Sequence, residues 1–308
     1  MENILSMRPR KVFEKLSIPI DEIQEIHLQA EQPLMIKHQG KEMMIDVCGN
    51  PGVPEKEALL VSVEDIQESL AYICQYSLYA YEDDIRNGFI TIRGGHRIGV
   101  SGQVAVEAGR VKSISHVSSL NIRISHQIFG CGNKIFKYLW DDGKPCHTLM
   151  VSPPGMEKTT LLRDLIRLFS NGVEEYPGVR VSLVDERSEV GACYLGIPQN
   201  NLGIRTDVMD CCPKAEGIRM MVRSMSPRMV AFDELGDEED IKAAVYAVHC
   251  GCKVLATLHG SCMEDVLKRL GVRNHRLFER YIFLNNSKYI GQIDRILNQN
   301  YQTIYESV

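Results

Sequence analysis

Two rhythms of apolar positions alternate through the second half of the chain. Short, largely apolar runs at His147–Val151, Val179–Val184, Met229–Phe232 and Lys253–Thr257 read as strands of a buried sheet. Between them lie stretches with apolar residues every three to four positions, among them Lys158–Phe169 and Asp237–His249. In Asp237–His249, Ile241, Ala244, Val245 and Val248 share a face behind an acidic first turn, which predicts an amphipathic helix with its dipole complemented. Strand and helix in alternation predict an α/β domain with a mostly parallel sheet covered on both faces.

The first half has a different texture and predicts a smaller α+β domain. Alternation in Ile26-His-Leu28-Gln-Ala30 and the segment Leu34-Met-Ile36 indicate short strands joined through Glu31-Gln-Pro33. Ser62-Val-Glu-Asp65 has the form of a helix cap and precedes Ile66, Leu70 and Ile73 on one helical face. From Gly88 to Val106, two alternating runs flank Gly94-Gly95, which predicts a hairpin whose tip carries Arg93 and Arg97. The polar turn Asp141-Asp-Gly-Lys-Pro145 marks the expected boundary, giving domains 1–143 and 144–308.

Composition narrows the function classes. The 308 residues are 44% apolar and 24% charged, as in globular proteins, and leave room for two cores. A formal net charge of −5 offers no general attraction to nucleic acid or to an anionic membrane. No run approaches the ~20 apolar residues of a membrane span, and the first residues lack a secretory pattern. The expectation is a cytoplasmic protein whose membrane link comes through partners. The ten cysteines are scattered without a C-x-x-C pair, as expected of packed, reduced thiols. Cys250 and Cys252 with a histidine are the alternative, a metal site.

Chemistry gathers where the predicted strands end, at Ser152, Asp185, Asp233 and His259, the edge at which open α/β sheets bind ligands. The first ending continues as Ser152-Pro153-Pro154-Gly155-Met156-Glu157-Lys158-Thr159-Thr160, with a strand before and a helix after. That is the setting of a phosphate-binding loop. Its backbone N–H groups would surround phosphate, Lys158 would neutralise the β and γ oxygens, and the Thr159 hydroxyl would hold Mg²⁺. Asp233, ending an apolar strand, would help hold that Mg²⁺, and Glu234 would orient or deprotonate an attacking water. The usual pattern G-x-x-x-x-G-K-[ST] places glycine where Ser152 and Glu157 stand. Serine is a mild replacement. A carboxylate ~4 Å from a phosphate oxygen costs up to about 4 kcal/mol at an effective dielectric near 20, roughly a thousandfold in affinity. Weakened nucleotide binding and low or absent turnover are therefore expected.

The chain also resembles the stage III sporulation protein AA family, relatives of the type II/IV secretion ATPases. The resemblance is carried by Gly94-Gly-His-Arg-Ile-Gly99, Ser119-Leu-Asn-Ile-Arg123, Lys158-Thr-Thr-Leu-Leu-Arg-Asp164, Val184-Asp-Glu-Arg-Ser-Glu189, Gly203-Ile-Arg-Thr-Asp207, Cys212-Pro-Lys-Ala-Glu-Gly217, Arg223-Ser-Met-Ser-Pro227, Asp233-Glu234 and Thr257-Leu-His-Gly260. It implies a RecA-like ATPase that uses ATP and Mg²⁺ and forms a ring, expected to be a hexamer. Such a ring would sit at the mother-cell face of a channel between mother cell and forespore, on membrane-protein partners. It further implies an auxiliary acid at Glu186, a γ-phosphate sensor at His259, and a phosphate site completed by arginines, with Arg93, Arg97, Arg205 and Arg223 as candidates. A scaffold ring without catalysis and a nucleic-acid-binding RecA-like protein are the other readings. The acidic net charge, the single tryptophan Trp140 and the lack of a basic tail after Gly291 oppose the last.

Overall fold

A computed structural model describes residues 4–307, apart from 87, 108 and 285–291. The chain divides into two compact units, 1–126 and 127–308.

The first unit is built on a six-stranded antiparallel sheet. Its strands are β1 (Ile23–Gln29), β2 (Met35–His38), β3 (Lys41–Met44), β4 (Phe89–Thr91), β5 (Arg97–Glu107) and β6 (Arg110–Arg123), in the order β3-β2-β1-β6-β5-β4. Register places Ile36, Ile26, Ile122, Ile98 and Ile90 side by side across the sheet. All five are buried, in one cluster with residues of the helices α1 (Met7–Phe13), α2 (Val63–Ile73) and α3 (Glu82–Arg86). The neighbouring row, Lys37, Glu25, Arg123, Arg97 and Thr91, points the other way, and Lys37 pairs with Glu25 at 3.1 Å. One apolar and one polar face is what period-two alternation imposes on an antiparallel sheet. The cap expected at Ser62 is present as a reciprocal pair of bonds with Asp65.

The second unit opens with the short helix α4 (Asn133–Phe136) and holds an eight-stranded sheet. Its strands are β7 (Thr148–Ser152), β8 (Val181–Asp185), β9 (Thr206–Asp210), β10 (Met229–Phe232), β11 (Lys253–His259), β12 (Arg280–Leu284), β13 (Ile293–Asn298) and β14 (Thr303–Glu306), ordered β9-β8-β10-β11-β7-β12-β13-β14. The first six run parallel and the last two antiparallel. Residues 293–306, to which sequence pattern assigns nothing, therefore extend the sheet edge. Alternate side chains feed two cores. Met150, Leu183, Ala231 and Leu255 join α5 (Lys158–Asn171) on one face. Leu149, Val184, Phe232 and Ala256 join α6 (Lys214–Ser224), α7 (Glu238–His249) and α8 (Met263–Asn274) on the other.

The division falls ahead of the Asp141–Pro145 turn at which the sequence places it. Residues 127–143 belong to the second unit because their side chains are committed there. Gln127 bonds both backbone groups of Asn201, at 2.7 and 2.8 Å. Phe136 and Trp140 pack on Phe169, with ring centroids 4.8 and 5.8 Å apart. The Gly132 N–H donates to the buried Asp164 carboxylate at 2.8 Å.

Candidate functional site

Parallel pairing brings the chemical residues to one edge of the second sheet. Ser152 at the end of β7 is in register with His259 at the end of β11, and Asp233 and Asp185 end the adjoining strands. The loop 152–157 then leads into α5. The helices α2 and α7 have side-chain caps, from Ser62 and Asp237, but α5 has none. Its cap residue, Glu157, is left-handed (φ 57°). Uncapped first-turn N–H groups facing a loop at a sheet's carboxyl edge are what an anion requires. The left-handed backbone at 157 also explains why glycine is the usual residue there: it adopts that conformation freely, whereas other residues strain by ~1–2 kcal/mol.

Within the loop, Ser152 is buried and its hydroxyl donates to the Pro153 carbonyl at 3.0 Å. Pro154 and Gly155 are exposed, Gly155 with φ 77°, and the half-buried Met156 packs against the α5 face of the core. The exposed Glu157 accepts a 2.8 Å bond from the Thr160 hydroxyl. Lys158 is buried, and burial holds its ammonium below the usual lysine range, against the pull of Asp233 and Glu234. Its Nζ donates to the carbonyls of Ser152 (3.2 Å) and Pro153 (3.3 Å) and to His259 Nδ1 (2.9 Å). An ammonium has only donors, so Nδ1 is the acceptor and the His259 proton sits on Nε2, facing Glu234 Oε1 at 3.7 Å.

Thr159 and Asp233, assigned to Mg²⁺ from sequence, meet directly: the hydroxyl donates to Asp233 Oδ2 at 2.8 Å. Thr257 completes the corner. Its hydroxyl donates to Asp233 Oδ1 and accepts the Glu234 N–H at 2.8 Å. Among the described residues no group of three or more His, Cys, Asp or Glu could cage a metal. A Thr–Asp oxygen pair beside a lysine suits Mg²⁺, which takes one or two protein oxygens and fills its octahedron with phosphate and water.

Beside this corner lies a cleft of about 230 Å³ lined by Asp185, Glu186, Asp233, Glu234, Arg187 and Lys214, among others. Glu234 is approached by Arg187 at 3.4 Å. Glu186 is half-exposed and pairs with the buried Lys214 at 3.3 Å, which also bonds Asp240 at 3.1 Å. Asp185 plays a different part from its neighbour. It is buried and accepts the N–H groups of Glu189, Val190 and Gly191 at 3.0, 3.0 and 2.7 Å. Burial nevertheless pushes its carboxyl up to about 6. Arg163 on α5 grips the same segment through the carbonyls of Val190 (2.8 Å) and Glu189 (2.9 Å).

The arginines fare differently. Arg223 is exposed on the last turn of α6, nine residues along from Lys214, so at ~1.5 Å per residue the helix carries it roughly 14 Å from the cleft. Arg205 donates to the Ser170 carbonyl at 3.0 Å beside the amino end of β9. Arg97 stacks 3.9 Å over the Phe89 ring in the first unit, and Arg93 is exposed at its hairpin tip. Sequence reasoning took Arg163, Lys214 and Thr257 only as parts of motifs, without a role; the sheet order makes them neighbours of the site. Among the described residues no cysteine forms a disulfide; Cys250 is exposed while Cys252 is buried, its thiol against the Pro227 carbonyl. No helix of the described residues is long and apolar enough to cross a membrane.

Comparison with known proteins agrees with this geometry. The Legionella pneumophila ATPase DotB superposes with a TM-score of 0.58 at 16% identity, covering 91% of this chain and 78% of that one. The pilus retraction motor PilT with bound ADP gives 0.58 at 15% identity, covering 95% and 84%. Both share the fold of this chain. The stage III sporulation protein AA of Bacillus subtilis (strain 168) is 37% identical over 307 residues, 97% of this chain and 96% of that protein. The sequence pattern of sporulation stage III, protein AA matches residues 1–304, and the chain belongs to that family.

Proposed function

We propose that the chain is an ATPase-family subunit of a secretion-like sporulation complex, a self-assembling hexameric ring with a weakened Mg²⁺-ATP site in the loop 152–160. The observation that carries this reading is the 2.8 Å bond between Thr159 and Asp233, which joins the phosphate loop to the acidic strand end through the two groups that would share Mg²⁺. When bound, Mg²⁺ would neutralise charge on the β- and γ-phosphates. Lys158 exchanges two loop carbonyls and His259 for phosphate oxygens. His259, released at Nδ1, reports that exchange to Glu234, which accepts a proton from water. Glu186 is the auxiliary acid, set in place by Lys214. Arg97 of a neighbouring copy is the candidate to complete the site. The ring works from the mother-cell cytoplasm on membrane-protein partners.

Glu157 supports a second reading, a scaffold ring that binds nucleotide poorly and does not hydrolyse it. Mg-ATP binding and turnover, measured on the unaltered chain and on Glu157→Gly, separate the two. Turnover that appears only in the glycine variant means the remaining machinery is intact. Binding without turnover in both supports the scaffold. Absence of binding in the glycine variant would refute the nucleotide site, and micromolar binding by the unaltered chain would refute the weakening.

A further inference from the structure

We infer that Thr257 is the positioning residue of the site: through its hydroxyl and its carbonyl it fixes Asp233 and Glu234 relative to each other and to the phosphate loop. Resting on the nucleotide reading above, this names the group that sets the orientation of both acids.

Other buried hydroxyls of the same sheet behave differently. Thr148 on β7 is fully buried and bonds locally, to the Cys146 carbonyl at 3.1 Å. Ser182 on β8 is equally buried, and its hydroxyl has no partner among the described residues. Thr257, buried as completely, reaches beyond its own strand, and its place in the ladder explains why. β10 pairs with β11 as far as Phe232 opposite Ala256, whereas β11 continues along β7 to His259 opposite Ser152. Thr257 therefore stands where the neighbouring strand has just ended, beside backbone N–H groups that have lost their ladder partners. Glu234 and Leu235 donate there instead, to the Thr257 hydroxyl oxygen at 2.8 Å and to the Thr257 carbonyl at 2.7 Å.

Glu234 is left-handed (φ 56°), a conformation that strains a non-glycine residue and persists only where its surroundings fix it. The two bonds to Thr257 and the burial of Leu235 fix it here. The Glu234 carboxylate is thereby held between His259 Nε2 and Arg187. A hydroxyl carries a single proton, and Thr257, accepting from Glu234, gives that proton to Asp233 Oδ1. With Oδ1 taken, Oδ2 is the oxygen presented to the Thr159 hydroxyl, at 2.8 Å. His259, the acceptor for Lys158, lies two residues further along β11 and so on the same side of the strand. One strand thus holds the proposed Mg²⁺ acid, the proposed water-activating acid and the phosphate-loop lysine in register.

Calorimetric titration with ATP, in Mg²⁺ and in EDTA, tests this on the full chain carrying Glu157→Gly, alone and combined with Thr257→Ser, Thr257→Val or Thr257→Ala, each checked by thermal melting. Serine keeps the hydroxyl; valine keeps the shape without it, and alanine removes it without adding bulk. The tightening of ATP binding by Mg²⁺ is expected to survive within about threefold in the serine variant and to fall by ~10-fold or more in the other two, while affinity in EDTA stays within about threefold in all. Exchange of the Glu234 amide, read without nucleotide, is expected to quicken by ~10-fold or more with valine or alanine and to stay unchanged with serine. An intact Mg²⁺ effect without the hydroxyl, or an equal loss with serine, overturns the positioning role and leaves the nucleotide reading standing. Equal losses of affinity with and without Mg²⁺, alongside a lowered melting temperature, overturn it in favour of a purely structural threonine. Absence of ATP binding by Glu157→Gly alone overturns both.

Discussion

The Thr160 hydroxyl donates to the Glu157 carboxylate at 2.8 Å, folding the side chain that stands in place of glycine onto the first turn of α5. The carboxylate thereby occupies the end of the helix where an anion is stabilised. In the proposed Mg²⁺-ATP site it would compete with phosphate for that position and hold the Thr160 hydroxyl to itself. Lys158 is not engaged by Glu157, since its three contacts are to Ser152, Pro153 and His259. In the proposed site the lysine could therefore exchange these partners for phosphate oxygens, and the weakening would rest on Glu157.

Removing that side chain should restore affinity. Glu157→Gly removes both the carboxylate and the left-handed strain, whereas Glu157→Gln removes the charge alone. Glu157 is exposed and partly screened by salt, so the gain falls between tenfold and the roughly thousandfold upper bound for a carboxylate ~4 Å from phosphate. Calorimetric titration with Mg-ATP should rank glycine above glutamine above glutamate. Equal affinities in all three would mean the carboxylate does not compete.

Lys158→Met should separate binding from folding. The ammonium is buried and held below its usual range by that burial, so its loss removes a desolvated charge. The Ser152 carbonyl keeps a partner in the Gly260 N–H at 3.2 Å. We expect Mg-ATP affinity to fall by ~100-fold or more while the melting temperature stays within roughly 3 °C. A collapse of the melting temperature would make Lys158 a structural cation first.

Local signals in the sequence reach as far as the chain's own periodicity. The strand ends Ser152, Asp233 and His259 were legible because unbroken apolar runs precede them. The strand Thr206–Asp210 was not, because it is half-buried throughout and Thr-Asp-Val-Met-Asp shows no clean run. Lys214 lies far along the chain from both Glu186 and Asp240, and only the pairing order β9-β8-β10 makes the three neighbours. Arg97 and Arg223 were offered by motif alone. One proves stacked on Phe89 and the other carried away by α6, since spacing in a motif says nothing about which way an element runs.

Asp164 should be the costliest polar residue to remove from the second unit. It is fully buried, binds Arg167 at 2.6 and 3.0 Å, and takes the Gly132 N–H at 2.8 Å. Alanine strands a guanidinium and an amide together, at ~3–5 kcal/mol. Asparagine can keep the Gly132 bond and should cost less than half as much. Denaturant titration reads both, and alanine within ~1 kcal/mol of the unaltered chain would contradict the network.

A buried carboxyl and a half-buried imidazole oppose each other in acid. Burial raises the Asp185 carboxyl to about 6, above its ordinary 3.8, so the folded chain holds a proton there that the unfolded chain has lost. Its contribution is most favourable below 3.8 and declines as pH rises to 6, by ~3 kcal/mol. His147 runs the other way. Burial, then Lys253, lowers it to about 4 from 6.5, and its Nδ1 accepts the Val254 N–H at 3.2 Å. Its contribution is present above 6.5 and is lost as pH falls toward 4. Across that window the two slopes cancel in part, and the unaltered chain should show a shallow profile. Asp185→Asn leaves the histidine unopposed, so stability should drop more steeply on acidification from pH 6.5 to 4.5. His147→Gln leaves the aspartate unopposed and should flatten or reverse that loss. Urea midpoints at pH 4.5, 5.5 and 6.5 measure both, and parallel profiles for all three proteins would show that neither group carries its proton differently in the folded state.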